Sequence, residues 1–202
     1  LADVLATRID LEPLAEARVL LRARQAVLLL RRRGDPAGAI DSLTAAVREA
    51  PHVQQLRPAL EVLVEHARTR GAPPVGDAAS LLEQVLRAQG DLAGVPQMIE
   101  LRLSAEADHA LRATLLLDIA QVQEHLGQPA LGFMPMCRAV KELPDDASLR
   151  NEAERLAKLT DNLEARALVY EDALDSVRDA ATRIALHKRI AEVAEHVQNE
   201  PE

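Results

Sequence analysis

Six histidines, one cysteine and a run of three arginines are the side chains in this 202-residue chain whose chemistry is easiest to imagine. Glu192 and His196 stand four apart, as do Gln121 and His125, so each pair shares one face of a helix and offers two ligands to a divalent cation. Zinc usually takes three or four protein ligands, and neither an HExxH pattern nor a cysteine pair accompanies these residues. Surface or hairpin-packing histidines are therefore expected, and no metal site is assigned. The single Cys137 leaves no internal disulfide framework and no thiolate cluster, and is expected to be a small buried apolar residue on a helix. Arg31, Arg32 and Arg33 carry the charge of a phosphate patch, but cations in the last turn of a helix are drawn to its free carbonyls, which is the simpler account. A glycine-rich phosphate loop, a nucleophile elbow and a Ser or Cys with His in a recognisable motif are all missing. The carboxylates are spread as i,i+4 partners over helix surfaces. The expectation is a non-enzymatic chain with no cofactor; an α-helical toroid enzyme would demand a deep pocket with convergent titratable groups.

The elements that position these side chains repeat. The stretch DHALRATLLLDIAQVQEH (Asp108 to His125) returns 71 residues later as DAATRIALHKRIAEVAEH (Asp179 to His196), sharing nine of eighteen letters. A looser copy lies upstream, where Arg18, Leu21 and Ala26 match Arg112, Leu115 and Ala120, and Arg183, Leu186 and Ala191. A fixed internal period is the mark of units that bury their apolar faces against their neighbours. The three copies also separate by face. Leu21, Leu115 and Leu186 recur with Gln25, Ile119 and Ile190 and with Leu28, Val122 and Val193 as the packed stripe, while Ala26, Ala120 and Ala191 mark where a neighbouring helix comes close.

Apolar residues make up 48% of the chain, and almost all are Ala, Leu and Val, with Phe133 and Tyr170 the only aromatics. Such a composition builds closely packed helices rather than sheets. Glycine and proline supply the punctuation. Gly34, Asp35 and Pro36 read as a helix stop, an N-cap and a first helical residue, and the next helix closes before Pro51. Gly127, Pro129 and Pro144 repeat that pattern, with Glu49 aligned on Glu142. Further helices are expected over the first ten residues and near 53–70, 77–89, 92–105, 109–126, 146–160, 163–177 and 180–198, with Pro135 kinking or breaking one of them. The first two copies of the arginine motif are 94 residues apart, and the surplus falls around RTRGAPPVGDAA at 68–79. The chain is thus expected to be one helical repeat domain over 1–202 with an irregular insertion near 68–91. Both ends fall within repeat units, so it reads as a piece of a longer array.

The punctuation and the small residues resemble the tetratricopeptide repeat. Ala26, Gly34, Ala39, Leu43, Ala46 and Pro51 fit one unit, and Ala120, Gly127, Gly132, Met136, Ala139 and Pro144 fit a second. A weaker unit ends in Leu168, Tyr170 and Ala173 and is also similar to the half-a-TPR repeats. The family's Trp and Tyr in the first helix are absent throughout, and residues 52–91 depart most. The Ala- and Arg-rich composition resembles that of large repeat arrays of high-GC bacteria. What the resemblance implies is an all-α, right-handed α-solenoid of about 9–10 helices in antiparallel hairpins, and a binding scaffold without catalysis of its own.

It also implies where a partner binds. In that family the polar side of the first helix of each hairpin lines a concave groove that grips peptides. The equivalent stripe contains Arg24, Arg31, Asp118, Gln121, His125, Arg189, Glu192 and His196, which become the candidate partner-binding residues, the cations for anions and the acids for cations. A solvated face with no ligand is the alternative for the same stripe. No Asn occurs at Val27, Gln121 or Glu192, which disfavours the family's clamp for C-terminal carboxylates.

A net charge of −8 argues against a general nucleic-acid binder, which needs clustered cations. Residues 1–50 nevertheless carry eight Arg against seven acids. A nucleic-acid-binding solenoid is therefore the second reading, and it requires Arg18, Arg22, Arg24, Arg31 and Arg33 to form one basic surface. A spacer in a larger protein is the third. Open repeat ends offer a route to self-association. No apolar run is long enough to span a membrane and no signal-peptide pattern occurs, so a cytoplasmic location is expected, although an upstream targeting segment can precede Leu1.

Overall fold

In a computed structural model of the chain, residues 2–161, 170–171, 174, 177 and 179–199 are described, and 82% of what is described is helical with no strand. Two compact units divide it, Leu1–Glu106 and Ala107–Glu202. The first contains α1 (Ala2–Leu11), α2 (Ala15–Leu28), α3 (Pro36–Glu49), α4 (Leu56–Arg70), α5 (Val75–Ala88) and α6 (Val95–Ala105). The second contains α7 (His109–His125), α8 (Pro129–Glu142), α9 (Ala147–Leu159) and α10 (Ala180–Asn199). The expected helix at 163–177 lies largely outside the described residues, as does the Asn199–Pro201 punctuation beyond Asn199.

Glycines stop these helices because only a left-handed residue turns the chain while its neighbours satisfy the last carbonyls. At Gly127 (φ 74°) the Gly127 N–H donates to the Glu124 carbonyl at 2.9 Å and the Gln128 N–H to the Gln123 carbonyl at 2.8 Å, closing α7. Gly34 (φ 61°) ends α2 differently. The last turn, Leu29–Arg33, widens into a π-helix, and the N–H groups of Gly34 and Asp35 both reach the Leu29 carbonyl. Aspartates start the next helices. Asp35 accepts from the Gly38 N–H, Asp108 from Leu111, Asp146 from Ser148 and Leu149, and Asp179 from Thr182. The Asp shared by the two long repeat copies is therefore an N-cap.

In the first unit α2 packs on α1, α3 and α4, α3 on α4 and α5, and α5 on α6. Its core is aliphatic, with Val19, Ala26, Leu43, Leu56, Leu60, Leu63, Val85 and Ile99 sealed from solvent. The helix expected near 77–89 within the insertion is α5, a partner of α4, and 71–74 form the irregular connection. Glu83 on α5 is buried, with a side chain 8% exposed, and is held by Arg87 at 2.9 Å and by Arg102 of α6 at 2.6 Å. A buried carboxylate without cations would be strongly unfavourable, so these contacts help to fix α6 on α5.

In the second unit α7 lies against α8 along its length. Ala120 is 2% exposed, and a Cβ on Gly132 would come within 2.9 Å of the Ala120 carbonyl oxygen, so the backbones meet where a small residue was expected. The first hairpin has Ala26 and Ala39, both fully buried, at the aligned positions. Helix α8 continues through Pro135 without a break. One expectation fails: Ala191 on α10 is exposed rather than set against a neighbouring helix. Cys137 is buried as expected, and burial pushes its thiol up to about 11, far from a reactive thiolate.

Candidate functional site

The arginine that opens each of the first two repeat copies and the glutamate that closes its hairpin were aligned as letters, and they meet in space. Arg18 on α2 donates through Nε to Glu49 at the end of α3 at 2.7 Å, and Arg112 on α7 donates through Nε to Glu142 at the end of α8 at 2.6 Å. Arg22 also approaches Glu49. His109 Nδ1 stands 2.6 Å from Glu142. Burial pushes the Glu142 carboxyl up, but the hydrogen bonds from His109 and Arg112 outweigh it and hold the group below the ordinary glutamate range. These pairs close the open end of each hairpin and are structural. They were legible only as aligned letters, because sequence gives no distance between helices.

Arg24 and Arg31 lie elsewhere. Both are exposed and line an open groove of about 690 Å³ between α1, α2 and α4. Its apolar lining includes Leu5 of α1, Leu20, Ala23 and Val27 of α2, and Val62 of α4, completed on α4's side by Pro58 and Gln55. No carboxylate is among the lining residues, and neither Arg24 nor Arg31 has an acidic partner among the described residues. The two line one groove, and the aliphatic floor supplied by α1 and α4 was not foreseen. That floor could have been sought in the sequence only by knowing which neighbouring helix faces Val27.

In the second unit the stripe residues sit on two helices. Asp118 is half-buried on α7, and Gln121 and His125 are exposed on the same helix. Arg189 and Glu192 are exposed on α10, and the side chain of His196 lies outside the described residues. Between them α9 is tied to both. Its Arg155 donates to Glu124 of α7 at 2.8 Å, and Arg189 of α10 stands 3.5 Å from Glu154. The 71-residue period passes over α9 and so missed its members of this surface. Charges here neutralise one another. Arg189 donates to Glu192 at 3.0 Å, and this hydrogen bond, with Glu154 nearby, favours the charged guanidinium. Arg155 likewise holds Glu124 below the ordinary carboxyl range. Tyr170, buried, donates to the same Glu154 at 3.1 Å.

Four of the five N-terminal arginines required for a basic surface divide into two pairs. Arg18 and Arg22 turn to Glu49 on α3, while Arg24 and Arg31 line the groove with α1 and α4. No group of three or more His, Cys, Asp and Glu able to hold a metal occurs among the described residues, and no described helix is long and apolar enough to cross a membrane. The chain matches no family model, and no curated protein is significantly similar to it.

Proposed function

We propose that this chain is a non-catalytic interaction scaffold, a tetratricopeptide-like stack of helical hairpins that receives a segment of a protein partner on the faces of its A helices. The observation that carries this reading is the groove between α1, α2 and α4, apolar in its floor and edged by Arg24 and Arg31. Its volume is that of a site for a ligand or a short peptide stretch. The hairpin likeness is supported by the recurrent Arg to Glu closure, the left-handed glycines and the Ala26/Ala39 and Ala120/Gly132 approaches. A solenoid for nucleic acid is less well supported, since Arg18 and Arg22 are taken up by Glu49 and no aromatic lines the groove to stack a base.

Selecting peptides from a displayed library on the whole chain tests this. Selected peptides are expected to lose binding to the Arg24→Glu/Arg31→Glu variant and to keep it with Asp41→Lys, which alters the separate polar cleft between α3 and α5. Peptides indifferent to the first variant would remove the groove as the binding face.

A further inference from the structure

We infer that the groove receives an acidic amphipathic helix, whose two carboxylates, two turns apart, pair with Arg24 and Arg31 while its intervening apolar residues fill the floor. This rests on the groove being the binding face. Charge comes first: the groove offers two cations and no carboxylate in a chain whose net charge is −8. Both cations are exposed and lack an acidic partner among the described residues, so an incoming carboxylate displaces no internal ion pair. Opposed charges at such a rim speed encounter and fix register.

Geometry then selects the conformation. Arg24 on α2 and Arg31 in the π-helical turn that follows it are seven residues apart, about 10 Å along the helix axis, at 1.5 Å per residue in α2 and slightly less in the wider turn. A helical partner reproduces that distance with residues i and i+7, which share one face, and places i+3 and i+4 between them on the same side. An extended partner advances roughly 3.3 Å per residue, so about 10 Å falls at i+3, whose side chain points to the opposite face from i. Only the helix brings both carboxylates and the apolar residues to one side. The floor suits it: Leu20, Val27 and Val62 are aliphatic, and Ala23 leaves room beside Arg24 for a side chain to descend.

The test uses the whole chain and a fluorescein-labelled, alanine-rich helical peptide with glutamates at i and i+7 and leucines at i+3 and i+4. Three controls accompany it: a peptide with the second glutamate moved to i+5, a proline-containing extended peptide of the same charge, and a single-stranded oligonucleotide. Anisotropy is expected to show binding of the matched peptide, weakened roughly tenfold by Arg24→Glu and again by Arg31→Glu. Replacing both peptide glutamates by lysine should restore binding to the Arg24→Glu/Arg31→Glu chain. Equal binding of the i+5 peptide, or preference for the extended peptide with the same sensitivity to both substitutions, would overturn the helical occupant and leave the groove standing. Peptide binding insensitive to both substitutions, or binding of the oligonucleotide alone, would overturn the occupant and the groove reading together. Both arginines are solvent-exposed, so an unchanged helical circular dichroism signal is expected for each variant.

Discussion

Glu142 concentrates the electrostatics of its hairpin: a side chain 15% exposed, hydrogen-bonded by Arg112 and His109 and held below the ordinary carboxyl range. A carboxyl whose folded value is depressed contributes stability that is full above its unfolded value, about 4.3, and is lost as the pH falls through the folded value. Glu142→Gln should therefore cost roughly 1–3 kcal/mol in urea melts at neutral pH, where it removes a charge-assisted hydrogen-bond acceptor. Once the pH has fallen below the depressed folded value the variant and the native chain should converge, because the native carboxyl is then protonated too. A gap that persists unchanged in acid would show that packing, not charge, sets the cost. At this scale the sequence aligned Arg112 with Arg18 and Glu142 with Glu49 but did not reveal that they touch. Side-chain reach between helices is a tertiary fact, invisible to spacing within one helix.

Among elements, α7 and α8 approach closely, with Gly132 against the Ala120 backbone. Ala120→Leu adds bulk at a position only 2% exposed in this tight contact and should cost about 1–3 kcal/mol by overpacking. Ala191→Leu, at the aligned but exposed position on α10, should stay within about 0.5 kcal/mol. Equal losses in thermal melts would mean that α10 packs as tightly as α7. Helix positions were largely legible because Gly, Pro and Asp mark ends by chemistry that acts within a few residues, as at Gly34, Gly127 and Asp108. At Pro135 helix α8 is not broken, because a proline removes one hydrogen bond, which a packed helix can forgo without ending. Ala191 misled because a repeat letter promises a neighbour only where a neighbour is present.

On the scale of the whole molecule, the proposed function rests on where charge is left uncompensated. In the second unit Arg189 pairs with Glu192 of the same stripe and with Glu154 of α9, and Arg155 of α9 pairs with Glu124 beside the stripe. In the first unit Arg24 and Arg31 edge an apolar groove that holds no acid. Composition and period pointed to all-helical structure and to a polar stripe; which part of that stripe acquires an apolar floor depends on α1 and α4 converging beside α2. Binding at this groove is expected to weaken with added salt, as rim ion pairs do. The most direct measurement is hydrogen exchange of the whole chain with and without the matched acidic helix. Slowed exchange at the groove-facing turns of α2 and α4, from Leu20 to Arg31 and from Gln55 to Val62, with α3 and α5 unchanged, is the predicted footprint. Protection confined to the α3 and α5 face, or to the second unit, would contradict it.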